Sequence, residues 1–136
     1  MNGIFLISHE NVARGFLSAA GFILGAVPAP ENVDFLEMGK GATPDNVENL
    51  ARQKIQNLLK NNDGVLILTD LFGASPANLA ARLIAENVAA VSGLNLAMLL
   101  RALNYRNLDL AQLAEKAKEG GVMNIEILKG ENRAAP

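Results

Sequence analysis

The stretch from Asp63 to Asn78 decides the fold class, and it reads DGVLILTDLFGASPAN. Its continuous apolar run, Val65–Leu68, predicts a strand that is buried on both faces of a parallel sheet. Thr69-Asp70 ends that run, and Ser75-Pro76 then predicts the start of a helix with Ser75 as its N-cap. A buried strand that leads into a helix through a short turn is typical of a βαβ unit.

The same signals recur on both sides of this stretch. Short apolar runs predict four further strands, at Ile4–Ile7, Val33–Met38, Val88–Val91 and Val122–Leu128. Apolar positions at helical spacing, together with capping residues, predict helices over Asn11–Leu24, from Thr43-Pro44 through Leu59, from Ser75 to about Glu86, over Leu96–Leu103 and from Asp109 through Lys118. Glycines end two of these helices, Gly25 together with Pro28 and Pro30 in the first and Gly120-Gly121 in the last.

This alternation of strands and helices predicts an α/β fold with a doubly wound, flavodoxin-like sheet in the order 2-1-3-4-5. In that order strand 1 lies beside strand 3, and ligands bind at the carboxyl ends of these strands. Ser8-His9-Glu10 follows the first strand and Thr69-Asp70 follows the third. Because neighbouring strands are ~4.8 Å apart, we expect His9 and Asp70 to face each other within hydrogen-bond reach.

The composition excludes several other kinds of site. With 12 basic and 14 acidic residues the net charge is −2, which argues against a nucleic-acid partner. The absence of cysteine excludes a disulfide scaffold, a thiolate nucleophile and a zinc–cysteine centre, and a single histidine excludes a multi-histidine metal site. We expect one domain over residues 1–130, a frayed tail at 131–136 and a cytoplasmic location, since neither a signal peptide nor a spanning apolar run is present.

The expected pairing of His9 with Asp70 has a specific chemical consequence. A carboxylate that accepts the N–H of one ring nitrogen fixes the tautomer, and it stabilises positive charge on the ring when the other nitrogen bonds to an electrophile. No serine or cysteine is obviously placed to act in front of the histidine, so His9 itself is the candidate nucleophile. The helix N-terminus at Gly73-Ala74-Ser75 favours an anion, which points to phosphoryl transfer without a metal or a cofactor.

At these residues the sequence resembles the enzyme IIA component of the mannose/fructose/sorbose family of the bacterial sugar phosphotransferase system. Three segments carry the resemblance, and the string TDLFGASP within the second is the most specific. They are Ile4–Glu10 with Ala13–Leu17 and Ile23–Gly25, then Asp63–Asn78, then Val91–Leu100.

The resemblance implies that His9 accepts a phosphoryl group from the phosphocarrier HPr and passes it to an enzyme IIB partner. It implies that Asp70 orients the imidazole ring and that Gly73, Ala74 and Ser75 contact the phosphate. It also implies a homodimer in which the last strand, here Val122–Leu128, is exchanged between subunits and lies antiparallel to the others. Contact with a membrane would then be indirect, through a transporter complex.

Two positions depart from the pattern of the family. Glu10 follows the histidine where the family usually has glycine, and its carboxylate could repel the phosphoryl group, alter partner docking or point to solvent. Ala74 replaces the second glycine of Gly-Gly-Ser-Pro, which is tolerable only if residue 74 avoids a positive φ.

Other interpretations remain at this point. The same phosphohistidine could serve a regulatory protein without a transporter, and the sequence does not identify a sugar. A receiver-like domain would use Asp70 as phosphoryl acceptor, Lys129 after the fifth strand and a magnesium ion, for which only Glu10 is available near strand 1. A flavin-binding module is disfavoured, because one tyrosine and no tryptophan leave little to stack on a flavin. The phosphoryl-donor subunit of dihydroxyacetone kinase is a related possibility, but Phe72–Asn78 resembles the sugar-transport branch.

Overall fold

The computed structural model describes residues 1–25 and 31–130. Four strands form one parallel sheet in the order β2-β1-β3-β4, and their bounds are β1 Asn2–His9, β2 Val33–Met38, β3 Gly64–Thr69 and β4 Val88–Ser92. Five helices accompany them: α1 Val12–Leu24, α2 Pro44–Leu59, α3 Ser75–Leu83, α4 Leu96–Asn104 and α5 Leu110–Met123. The predicted α/β class and the order 2-1-3-4 are confirmed.

The helices cover both faces of the sheet, which explains why the central strands are apolar at every position. Alternate side chains of β1 and β3 pack against α1, α4 and α5 on one face, as Leu6 and Leu68 do. The intervening side chains, such as Ile7 and Ile67, pack against α2 and α3 on the other face. Two apolar layers therefore hold β1 and β3 side by side, and they fix the positions of the residues at which these strands end.

The ends of most helices follow their local signals. Thr43, Asn95 and Asp109 each accept a hydrogen bond from a backbone N–H in the first turn of α2, α4 and α5, respectively. Gly25 closes α1 in the left-handed conformation, with φ 71°. The prolines at positions 28 and 30, like the tail at 131–136, lie outside the described residues.

The prediction for α3 is wrong at both ends. Ser75 is the first helical residue and not the N-cap, because Ala74 occupies the cap position in an extended conformation. No side chain caps this helix. At the other end α3 stops at Leu83, earlier than the expected Glu86.

The prediction that Gly120-Gly121 ends α5 is also wrong. The helix continues to Met123, and α5 packs closely on α4 along its glycine positions. A Cβ on Gly120 would lie 2.7 Å from Arg101 Cβ, and a Cβ on Gly121 would lie 3.0 Å from Met98 Cε. Close packing therefore outweighs the low helix propensity of glycine.

The predicted last strand, Val122–Leu128, is not a strand of the single chain. Val122 and Met123 belong to α5, and residues 125–129 have no strand pairing with the parts of the chain that the structure describes. The sheet consequently has four strands among those residues and not five. Exchange of a strand between subunits stays a prediction.

Candidate functional site

His9 and Asp70 come together at the carboxyl edge of the sheet. His9 is the last residue of β1, and Asp70 directly follows β3. The two strands pair in parallel with Ile7 opposite Thr69, so that both chains leave the sheet at the same level. The sequence alone could place both residues, because each directly follows a recognisable apolar strand.

One carboxylate oxygen holds the histidine at two points. Asp70 Oδ2 accepts the backbone N–H of His9 at 3.0 Å and lies 2.9 Å from His9 Nδ1. Because an ionised carboxylate only accepts hydrogen bonds, Nδ1 must carry the proton and the lone pair of the neutral ring must lie on Nε2. The Asp70 side chain is 12% exposed and the His9 side chain is 47% exposed. The arrangement therefore pairs a sheltered carboxylate with a ring that a partner can reach.

The N-terminus of α1, at the same edge, is already occupied by side chains of the protein. The buried Ser8 hydroxyl accepts the Ala13 N–H at 2.9 Å and donates to the His9 carbonyl at 2.7 Å. Glu37, from the end of β2, accepts the Arg14 N–H at 3.0 Å and the Arg14 Nε at 2.8 Å. A phosphate group would have to displace these internal ligands to bind there.

The role of Glu37 is not apparent from the sequence. Its side chain is only 6% exposed, and the hydrogen bond from the Arg14 guanidinium holds the pKa of the Glu37 carboxyl below its usual value. The same bond raises the pKa of Arg14. These residues are 23 positions apart in sequence, so only the pairing of β1 with β2 could have revealed the contact.

The N-terminus of α3 differs from that of α1, because within residues 1–25 and 31–130 no side chain caps it. The turn before α3 places Gly73 at φ 83°, a conformation that favours glycine. Ala74 has φ −93°, so the expected condition for an alanine at this position is met. Pro76 has no N–H and the Asn78 N–H is bonded to Ala74 O, so the Ser75 and Ala77 N–H groups are the ones that α3 can offer to an anion.

Glu10, the residue after the histidine, lies on the opposite flank from Asp70. Its carboxylate packs against Gly39, where a Cβ would lie 3.2 Å from Glu10 Oε2. Gly39 directly follows β2, whereas Asp70 follows β3, and β1 lies between these two strands. The Glu10 and Asp70 carboxylates thus do not form a pair, and the described residues contain no group of three or more acidic or histidine side chains that could hold a metal ion.

Comparison with known proteins gives the family. A family model described as the PTS (phosphotransferase system) fructose IIA component matches residues 3–119. The chain belongs to the mannose/fructose/sorbose family of PTS IIA components. PTS IIA components are phosphotransferases in general, and this one is a sugar-specific IIA component of the mannose/sorbose type.

Individual relatives agree with this assignment. The PTS system sorbose-specific EIIA component of Lacticaseibacillus casei is 34% identical over 115 residues, which cover 81% of this chain and 78% of that protein. The PTS system mannose-specific EIIAB component of Escherichia coli strain K12 is 31% identical over 141 residues, and the match covers 98% of this chain but 42% of that protein.

Solved structures share the fold of this IIA component. The phosphotransferase system component EIIA of Streptococcus agalactiae has a TM-score of 0.80 at 25% identity, covering 93% of this chain and 97% of that one. The mannose/sorbose specific IIA subunit of Enterococcus faecalis has a TM-score of 0.85 at 21% identity, with 98% of each chain covered, and shows the fold alone. No helix among the described residues of this chain is both long and apolar enough to span a membrane.

Proposed function

We propose that this IIA component accepts a phosphoryl group on His9 from HPr and passes it to an enzyme IIB component. The observation that carries the proposal is the contact of Asp70 Oδ2 with His9 Nδ1 at 2.9 Å, which leaves Nε2 as the nucleophilic nitrogen on a half-exposed ring. Membership of the PTS IIA family supports both partners. The E. coli relative named EIIAB supports the second, because that name joins the two components.

The transfer is a displacement at phosphorus. The Nε2 lone pair of His9 forms a bond to the phosphorus of phospho-HPr while the phosphorus–nitrogen bond of the donor breaks, and the donor nitrogen keeps that electron pair. The His9 ring gains positive charge, which the adjacent Asp70 carboxylate stabilises. Transfer to enzyme IIB repeats the step with the His9–phosphorus bond as the one that breaks. No metal or cofactor takes part in this proposal.

The turn from Gly73 to Ser75 is proposed to hold the phosphoryl oxygens. The uncapped N-terminus of α3 offers backbone N–H groups and the positive end of the helix dipole. Leu71 and Phe72, in the same loop, are 59% and 84% exposed. Exposed apolar side chains beside a reactive group suit the transient docking of partner proteins.

A receiver-like use of Asp70 as acceptor is disfavoured by the contacts of its carboxylate. Oδ2 is engaged by His9, and Oδ1 is buried without a hydrogen-bond partner among the described residues. The second carboxylate that a receiver needs near strand 1 is absent, because Glu10 lies against Gly39. Lys129 follows no fifth strand in the described part of the chain.

A homodimer is the assembly that the surface supports best. The edge strand β4 pairs with β3, and on its other edge only Val88 bridges Ala85 among the described residues, so the rest of that edge can take a further strand. Apolar side chains at the chain end are mostly exposed: Val122, Met123, Ile125, Ile127 and Leu128. We propose that this segment is exchanged between two subunits. Dimeric mass in solution, lost when residues 124–136 are deleted, would support this assembly.

The remaining assignments follow from the same role. We propose that the protein works in the cytoplasm and reaches a membrane only through a transporter complex. The sugar is recognised by other subunits, and a regulatory role without a transporter would use the same phosphohistidine. Genes for IIB and membrane subunits beside this one would favour transport over regulation.

Mapping the phosphorylated residue tests the proposal. The protein is incubated with HPr charged from phosphoenolpyruvate, with His9→Ala and Asp63→Asn as the test and control variants. We expect the parent and Asp63→Asn to become labelled, also when a metal chelator is added before the reaction. Acid should remove this label, and hydroxylamine should not. Normal labelling of His9→Ala, or release by hydroxylamine, would overturn the proposal.

A further inference from the structure

The Glu10 carboxylate is held beside the candidate acceptor by the loop after β2. Gly39 leaves just enough space for it, since a Cβ there would lie 3.2 Å from Oε2 and 3.3 Å from Cδ of Glu10. Met38, the residue before Gly39, is the β2 partner of His9 in the sheet. Two carboxylates thus lie near the end of β1: Asp70 is bonded to the His9 ring from the β3 side, and Glu10 lies against the loop on the β2 side.

The charge of Glu10 is only partly compensated. The pKa of Arg14 is raised mainly by Glu37 and to a smaller extent by the charge of Glu10. Within residues 1–25 and 31–130 its carboxylate makes no hydrogen bond or ion pair. The nearby Arg14 guanidinium is bound to Glu37, and the exposed Lys40 is beyond ion-pair distance. Its negative charge therefore acts on whatever charge develops at His9.

We propose that Glu10 lowers the stability of phosphorylated His9 and so favours onward transfer of the phosphoryl group. This inference rests on the proposed function. A phosphoryl group brings a charge of about −1.5 to −2, and the positive charge that forms on the ring offsets about one unit of it. Phosphorylated His9 therefore carries a net charge of about −0.5 to −1, whereas neutral unphosphorylated His9 has none. Repulsion by Glu10 is present only in the phosphorylated state, and it shifts the equilibrium of the displacement toward the partner.

The expected size follows from Coulomb's law. Cα atoms of consecutive residues are ~3.8 Å apart, and for two side chains of this length that point apart we take a separation of about 8 Å between the carboxylate and the phosphoryl group. At that distance in water, the repulsion amounts to a factor of about 1.5 to 2 in the equilibrium constant at ~0.01 M ionic strength. At ~1 M salt, where the Debye length is ~3 Å, the factor should approach one.

The equilibrium constant for phosphoryl exchange with HPr separates this effect from docking. A change in docking alters the forward and reverse rates together and leaves that constant unchanged, whereas a change in the stability of the phosphorylated state alters it. We compare the parent with Glu10→Gln, and with Glu86→Gln as the matched control, because Glu86 is an exposed glutamate before β4 at the opposite edge of the sheet.

We expect Glu10→Gln to hold about 1.5 to 2 times more phosphoryl group at equilibrium at low salt, and Glu86→Gln to match the parent. Phosphoramidate, a small phosphoryl donor, provides a partner-free readout: phosphorylated Glu10→Gln should lose its label more slowly than the parent. Equal equilibrium constants for Glu10→Gln and the parent would overturn the inference and leave the proposed function intact. Absence of label on His9 in the parent would instead overturn the proposed function.

Discussion

Replacing Asp70 by asparagine removes one charge at the candidate site and keeps the size of the side chain. In the parent, Oδ2 accepts the His9 backbone N–H at 3.0 Å and lies 2.9 Å from Nδ1. The asparagine oxygen can accept the same bonds, so the fold at the ends of β1 and β3 should persist. What it cannot do is stabilise the positive charge that forms on the ring during transfer.

The loss can be estimated from the geometry. Two unit charges about 2.9 Å apart attract by about 3 kcal/mol at an effective dielectric constant of ~40, a value suited to a ring that is half exposed. A neutral hydrogen bond to the asparagine retains up to ~1 kcal/mol of this. We therefore expect the barrier to rise by about 2–3 kcal/mol, which slows phosphorylation of His9 about 30- to 150-fold.

Two measurements check this prediction. Quenched-flow transfer from phospho-HPr gives the rate, and nitrogen NMR gives the tautomer directly, because the chain contains only one histidine. The parent should carry its proton on Nδ1, and Asp70→Asn should show a mixture of tautomers because an amide group can rotate to present its NH₂ to the ring.

The matched control is Asp63→Asn. Asp63 precedes β3 at its other end and is bound to the chain N-terminus, with a side chain that is 94% exposed. Its replacement should leave the transfer rate unchanged. If Asp70→Asn reacted as fast as the parent with the same tautomer, the role given to the carboxylate would be refuted.

Three further predictions concern the frame around the site. Glu37→Gln should lower the free energy of unfolding in urea at pH 7 by about 1–3 kcal/mol. Because the pKa of the Glu37 carboxyl is lowered in the folded state, this loss of stability should be present above pH 4.5, the ordinary pKa of glutamate, and should fade as the pH falls below it. Gly120→Ala should lower the free energy of unfolding by about 1–3 kcal/mol, because the new Cβ clashes with Arg101. Gly15→Ala, at an exposed helical position with open space around it, should raise the free energy of unfolding by about 0.5–1 kcal/mol. Equal shifts in melting temperature for the two variants would contradict the packing argument. Gly73→Ala should strain the turn before α3 by about 1–2 kcal/mol, and it should slow phosphorylation of His9 even at a temperature where the variant is fully folded. An unchanged rate would argue against a phosphate-holding turn.

Several elements could be predicted from sequence because their signals are local. The apolar runs before His9 and Asp70 mark two buried strands, and parallel pairing brings the ends of such strands to one edge. The caps Thr43 and Asp109 sit directly before the helices that they begin. The condition that residue 74 avoids a positive φ also follows from the replacement of glycine by alanine alone, and the structure meets it.

The errors arose where a local signal competes with packing. Ser75-Pro76 suits both an N-cap with a following proline and a first helical turn, and the structure selects the second. Val122–Leu128 has the composition of a strand, yet its first two residues extend α5 because that helix packs along α4. The rest of the segment is paired with no strand among the described residues.

The order of the elements as far as α5, the parallel sheet and the edge at which His9 and Asp70 lie all follow from the amino-acid sequence. Three contacts become visible only in the folded chain: Glu37 with the N-terminus of α1, Gly120 with α4, and Glu10 with Gly39. The cause is their separation along the chain. A strand or a cap depends on neighbouring residues, whereas these three contacts join residues that only the pairing of strands and the packing of helices bring together.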